Sequence, residues 1–437
     1  MDSRRAGARD AVAADRGSAR ASEPAGAVRG GGSDRRGDAH GRAAGLGHRA
    51  AARCHRRRGV RAARSADIAR RVGRARTAHE RAAAPDRPNE EGVVRMLPRP
   101  LPAGIEPRVS VVIPCYNYAR YLEDSVGSVL AQEGVDLDVV ILDDASSDDS
   151  VAVAERIATR DPRVRLVRHA RNLGHVETAN EALGLATGEF VVKLDADDLL
   201  TPGSLARSTA LLTAYPSAVL CYGYPQEFRG TPPADVPTSV SGWTIWEGRD
   251  WIERVLRRGH NVIMQPEVVV RRTAVVESGG YRPQLRWAED YNWWLRLATM
   301  GAIGRVDGAT QGLYRVHDKS FQRSADDIEL SDLEARVAAV TMFFEECGPR
   351  LRDHGKLHAV ALSSLARDAR RLGARAAERP SGGADAAAKF SEVARDLERA
   401  PGVGRRTTLS SSPTVLGRHY RQLEDRLRWR RWRRHGI

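Results

Sequence analysis

Lysine is almost absent from this chain: Lys193, Lys319, Lys356 and Lys389 are the only four among 70 basic residues. Alanine and glycine are abundant alongside arginine, so the bias reads as genomic composition before it reads as chemistry. Cysteine is also scarce. Cys54, Cys115, Cys221 and Cys347 lie far apart with no CxxC pair, which excludes a zinc spacing and a disulfide framework and suits a reducing compartment. No run of about 18 apolar residues is present, so no membrane-spanning helix is predicted. The N-terminus lacks the apolar core of a secretory signal. Together these absences predict a cytoplasmic protein. Two phosphate-binding signatures are missing as well. No G-x-G-x-x-G follows the first strand pattern and no G-x-x-x-x-G-K-[ST] occurs anywhere, so neither a dinucleotide Rossmann site nor a P-loop is supported.

Positive charge is confined. Through residue 95 there are 23 arginines against 11 acids, which places +12 of the formal +14 there and leaves about +2 for the rest. A nucleic-acid partner thereby loses its main electrostatic support. Residues 1–105 are rich in Arg, Ala and Gly without a sustained apolar period, and cannot bury enough surface to offset their ordering entropy. A disordered tail is expected. A start codon placed too far upstream, or a basic arm that touches membrane or nucleic acid, remain alternatives.

From residue 106 the texture changes. VSVVIP (109–114), LDVVILDD (137–144), VRLVRH (164–169) and EFVVKLD (189–195) are short β-branched runs. Helix-length segments at 118–132, 148–160 and 175–186 separate them. This alternation predicts βαβ units and a mostly parallel α/β sheet flanked by helices. Ser146 and Ser147 are expected to cap the helix at 148–160, and Thr201-Pro202 to open one at 202–215. A strand at 219–224 follows, then a loop at 231–244, a helix near 249–258 and a strand near 266–271. Residues 326–437 read as a helical region, interrupted by PSGGAD (380–385) and TTLSSSPT (407–414). Its end, HYRQLEDRLRWRRWRRHGI (419–437), interleaves arginines with Trp429 and Trp432. An interfacial helix on anionic lipid has this pattern, and so does a solvated tail; peripheral contact with the inner face of the membrane follows from the first reading.

Ligands of an open parallel sheet bind outside the carboxyl ends of its strands. Three such ends carry chemistry: Pro114-Cys115-Tyr116-Asn117, Asp143-Asp144, and Asp195-Ala196-Asp197-Asp198. In order and spacing, VSVVIPCYNYARYLEDSVGSVLAQ, VVILDDASSDDS, NLGHVETANEALGLATGEFVVKLDADD and GGYRPQLRWAEDYNWWLRLATMG resemble the nucleotide-sugar glycosyltransferases of family 2, over roughly residues 106–318. The resemblance implies a GT-A fold at 106–325 and inverting, non-processive transfer of one sugar. The donor would be a nucleoside-diphosphate sugar, UDP-linked by expectation. The acceptor would be a carbohydrate or lipid-linked hydroxyl of cell-envelope polysaccharide biosynthesis.

The same resemblance assigns residues. Tyr116 stacks on the base and Asp144 accepts from a uracil ring N–H, with Pro114, Asn117 and Asp143 in the same two motifs. Asn172 and Asn180 fall near the nucleotide. Asp197 is the ligand of Mn²⁺ or Mg²⁺, Asp195 a contact to ribose or to the metal's water shell, and His317 a third metal ligand in some relatives. Asp290 is the base, with Glu289 beside it. Physical chemistry supports the pattern, since hard carboxylate oxygens suit these cations and hydroxyl attack needs a base within reach. Bland readings stay open: Tyr116 as a rim aromatic, Asp143 as a turn carboxylate, Asn180 as a helix residue, His317 as structural, Asp195 and Asp197 as solvated acids, and Asp290 as an N-terminal helix acid. Asp198 is expected to brace the loop or to cap the helix that opens after Pro202. Most of Trp287, Trp293 and Trp294 are expected in the core, with one lining an acceptor subsite. Gln284-Leu285-Arg286-Trp287 is one residue short of the processive Q-x-x-R-W element and precedes the acid pair instead of following it. A nucleotidyltransferase and a non-catalytic nucleotide-sugar-binding homologue are the rival readings.

Overall fold

The computed structural model describes residues 92–285, 287–317, 328–379 and 382–400, all within a unit that begins at Pro85. The β-branched runs form β2 (Arg108–Cys115), β3 (Asp136–Asp143), β4 (Val164–Arg168) and β5 (Phe190–Lys193). These lie parallel in the order β5-β2-β3-β4. Between them run α1 (Ala119–Leu130), α2 (Ser150–Arg160) and α3 (His175–Gly184). Side chains alternate across β2: Val109, Val111 and Ile113 pack with α1 and α2, while Val112 points to the face that holds α3.

The other half of the sheet departs from expectation. β6 (Leu199–Leu200), β7 (Ala218–Phe228), β8 (Gly242–Trp246), β9 (Val269–Arg271) and β10 (Ala302–Arg315) complete it with β1 (Val93–Met96). The order is β1-β8-β10-β7-β9-β5-β2-β3-β4, with β6 on β10. β9 runs antiparallel to both β5 and β7, and β8 antiparallel to both β10 and β1. The sheet is therefore mixed, not mostly parallel. A short apolar run such as β9 does not encode the direction of its partner. β8 hid in the Pro/Thr/Ser loop, and Gly304, Gly308 and Gly312 obscured the strand pattern of β10. Part of the stretch expected to belong to the tail, Val93–Met96, forms β1. Val93 and Val94 are buried in β1, because β8 offers them an edge to pair with.

α4 (Ser204–Ala214), α5 (Gly248–Arg258), α6 (Arg272–Ser278) and α7 (Glu289–Ala298) lead into three C-terminal helices. These are α8 (Ile328–Cys347), α9 (His354–Ala377) and α10 (Gly383–Arg399). They share one apolar cluster with the α3 face of the sheet: Leu333, Phe343, Leu357, Leu365 and Phe390 join Trp251, Trp293 and Trp294 there. Among the described residues no helix is long and apolar enough to cross a membrane. The basic-aromatic end at 419–437 lies outside the described residues.

Candidate active site

Two turns at the carboxyl ends of β2 and β3 are stitched together. Asn117, at φ 61°, accepts through Oδ1 from the N–H groups of Ser147 (2.8 Å) and Asp148 (3.2 Å) and donates its own N–H to Ser146 Oγ (2.9 Å). Tyr118 N–H donates to Ser150 Oγ at 3.0 Å and Ala119 N–H to Asp148 Oδ2 at 3.1 Å. The polar run 146–150 thus serves the start of α1, whereas a cap for α2 was expected of Ser146 and Ser147; Asp149 precedes α2 without a side-chain cap bond. Asn117 has its amide oxygen engaged by this stitch. Pro114 is half-buried beside it, and Tyr116 is left 45% exposed at the rim, free to meet a planar ring.

The two carboxylates at the end of β3 do different work. Asp144 accepts on Oδ1 from His169 Nδ1 (2.7 Å) and Leu173 N–H (2.7 Å), and on Oδ2 from Gly174 N–H (2.9 Å). Burial alone would raise this carboxyl, but those donors outweigh it and hold it below the usual range. His169 also meets Glu181 at 3.1 Å, and the two carboxylates outweigh burial to raise the imidazole's pKa. Asp144 therefore organises the loop that opens α3. The Asp143 carboxylate accepts from Ser146 N–H on Oδ1, and its Oδ2 is buried without a partner among the described residues. Asn172 is exposed in the same loop. Asn180 has both amide atoms on the backbone of Tyr281, donating at 2.9 Å and accepting at 2.7 Å, so it ties α3 to the loop before α7.

The acid cluster after β5 is held from two sides. Asp195 Oδ1 pairs with buried Lys193 Nζ at 2.5 Å; burial raises this carboxyl, and the lysine charge more than reverses it. Asp198 accepts Arg315 N–H at 2.8 Å and is raised well above the usual range by burial and then by Asp197 and Asp195. It braces the loop against β10, as expected. Arg315 adds a bond from Nε to Asp197 O at 2.8 Å. Asp197 Oδ2 stands 3.0 Å from His317 Nε2, whose ring lies beside Tyr121. Burial and then the Asp195 charge raise Asp197, a repulsion that a cation would relieve. Carboxylate oxygen plus imidazole suits Mn²⁺, and carboxylate alone suits Mg²⁺. Among the described residues no three His, Cys, Asp or Glu converge as a full metal set.

The second acid pair opens α7. Asp290 is pushed up to about 7, by burial first and then by the charge of Glu289 beside it. Its Oδ1 accepts from Tyr291 N–H (2.6 Å) and its Oδ2 from Asn261 Nδ2 (2.8 Å). Lys193 and Asp195 also act on its charge, which puts the two acid clusters in one electrostatic neighbourhood. Glu289 Oε1 meets His175 Nε2 at 3.2 Å, and His175 follows directly on the loop that Asp144 holds. Trp293 and Trp294 are core residues, 1% and 0% exposed. Trp287 alone of the three is partly open. A separate cleft of about 610 Å³, lined by Leu199, Leu200, Pro202, Pro233, Pro237 and Leu313 among others, contains none of these acids.

The profile of glycosyl transferase family 2 matches residues 110–273, from β2 into α6. The chain carries a family 2 glycosyltransferase domain. Among curated relatives, an uncharacterised glycosyltransferase of Haemophilus influenzae is 24% identical over 48% of this chain and 66% of its own length. An uncharacterised protein of Mycobacterium tuberculosis is 31% identical over 45% of this chain and 64% of its own. The succinoglycan biosynthesis protein ExoO of Rhizobium meliloti is 26% identical over 54% of this chain and 68% of its own. The chain thus spans just under two thirds of the first two. The family match ends before Glu289 and Asp290.

Several residues of the site escaped the sequence reading. Lys193 sits inside EFVVKLD and was read only as composition. His175 lies inside NLGHVETAN, of which only Asn172 and Asn180 are singled out by the sequence. Asn261 and Gln265 lie in an unpatterned loop, and Gln265 joins Lys193 O (3.1 Å) to the Tyr281 hydroxyl (3.0 Å). Glu267, 2% exposed and raised well above the usual range by burial, comes just before β9 and belongs to no motif.

Proposed function

We propose that this domain transfers a single sugar from a nucleoside-diphosphate sugar to an acceptor hydroxyl, with inversion and without processivity. The observation that carries the reading is that two acid clusters lie within electrostatic reach of each other, with the Asp290 carboxyl pushed up to about 7. A carboxylate of that pKa is half-deprotonated near neutral pH and so can take a proton from a hydroxyl. On the donor side, Tyr116 stacks on the base. Asp144, or Asp143 with its unpartnered Oδ2, would accept from a uracil ring N–H once the β3 turn opens to the base. Asp195 faces the ribose. Asp197 and His317 would hold Mn²⁺ or Mg²⁺, which when bound offsets charge on the departing diphosphate. Asp290 removes the acceptor proton as the hydroxyl attacks the anomeric carbon from the face opposite the leaving group.

A UDP-sugar donor and an acceptor in cell-envelope polysaccharide assembly extend the proposal. The role of the Rhizobium meliloti relative ExoO in succinoglycan biosynthesis is in keeping with the second. A panel of UDP-, dTDP- and GDP-sugars with Mn²⁺ tests the whole reading through release of nucleoside diphosphate. Pyrophosphate release from a nucleoside triphosphate and a sugar phosphate would point to nucleotidyl transfer instead. Asp197→Asn is expected to abolish Mn²⁺-dependent donor binding in calorimetry. Asp290→Asn is expected to keep donor binding and lower turnover by about 10²–10⁴-fold; undiminished turnover would remove Asp290 from the role of base.

A further inference from the structure

The base is held by a residue outside every motif. Asp290 Oδ2 accepts from Asn261 Nδ2 at 2.8 Å, and Asn261 comes from the loop between α5 and β9. The amide orientation is forced. Its Oδ1 accepts from Ile263 N–H at 3.1 Å, which leaves the NH₂ end toward the carboxylate. The loop has no freedom at its start either. Gly259 closes α5 in the left-handed region (φ 83°), and its carbonyl accepts from Arg336 Nη1 of α8 at 2.6 Å. Arg336 is itself fixed by Asp368 of α9 at 2.9 Å, and Ser364 Oγ donates to Arg257 O at 2.9 Å. A continuous set of bonds thus runs from the C-terminal helices to the carboxylate of α7.

We propose that Asn261 is the positioning residue of Asp290, fixing the direction in which that carboxylate presents its remaining lone pairs to the acceptor hydroxyl. The proposal rests on the reading of Asp290 as base. With Tyr291 N–H on Oδ1 and the amide on Oδ2, each oxygen keeps one lone-pair direction open. The amide also favours the charged form, because a donor bonded to a carboxylate stabilises it. Other groups act on the same carboxyl: Glu289 from its own helix, Lys193 and Asp195 from the end of β5, and Glu267 and Tyr281 from the adjoining loops. None of these supplies a second side-chain hydrogen bond to it among the described residues, so the amide's share is separable.

The test uses the full chain, Mn²⁺ and whichever sugar nucleotide of the panel the wild type hydrolyses, with kcat/KM measured from pH 5 to 9. Asn261→Ser keeps a turn bond to Ile263 N–H but retracts the donor from Asp290. It should move the acid limb upward by about one pH unit, lower kcat, and leave the donor KM unchanged. Asn261→Asp places a second carboxylate on Asp290 and should move the limb further. If both variants fold, by circular dichroism and thermal midpoint, and both leave the limb in place, the positioning role is overturned while the base reading stands. Loss of the donor KM without a pH shift would also overturn it. A wild type that hydrolyses no sugar nucleotide would overturn the function and this inference with it.

Discussion

Asp290 is costly to keep. Its folded pKa of about 7 lies above that of an unfolded carboxyl, so between about pH 4 and pH 7 the native state holds a proton that the unfolded state has released. Stability contributed through this group therefore falls as pH rises through that window, and the full penalty is present above 7. Asp290→Asn should raise the thermal midpoint by a few degrees at pH 8 and leave it unchanged at pH 4; equal effects at both would contradict the assignment. Gly280 makes a second residue-scale case. It adopts φ 68°, and a Cβ there would overlap Asn180 Oδ1, the atom that accepts from Tyr281 N–H. Arg296 donates to the carbonyls of Ser278 and Gly280, so the turn cannot shift to make room. Gly280→Ala should cost about 1–3 kcal/mol in chemical unfolding.

Among the elements, α8 is tied in by a buried ion pair. Arg336 and Asp368 are 6% and 5% exposed and 2.9 Å apart. Arg336→Met removes one partner and leaves the other charge buried, which costs about 3 kcal/mol, the low end for such pairs. The low end applies because Arg371 also holds Asp368 at 2.8 Å. Calorimetry should show the midpoint fall by about 5–10 °C. The elements also mark what could be read in advance. β2 to β5 and α1 to α3 are set by local period and by turns nearby in sequence, and each lies within two residues of its expected range. The direction of β9, the existence of β8 and the length of β10 depend on partners far away in the chain, and no local pattern carries them. The site divides in the same way. Asp195, Asp197, Glu289 and Asp290 announce themselves in motifs, whereas Asn261 and His175 matter only because folding brings them to an acid.

For the whole molecule, the C-terminal helices are part of one core with the sheet. Leu333, Phe343, Leu357, Leu365 and Phe390 cover the same apolar cluster that holds Trp293 and Trp294 of α7. A chain cut after residue 327 would open that cluster to water. It should bind a hydrophobic dye strongly and lose its cooperative thermal transition. A sharp transition with unchanged near-UV dichroism would show that the catalytic half stands alone.

The shortage of lysine has a practical consequence. Lys193 is 4% exposed and paired to Asp195, while Lys356 and Lys389 are exposed on α9 and α10. Among these three, amine-reactive dyes, biotin esters and aldehyde supports should therefore attach at the two helix lysines and spare Lys193, while Lys319, two residues after His317, lies outside the described residues.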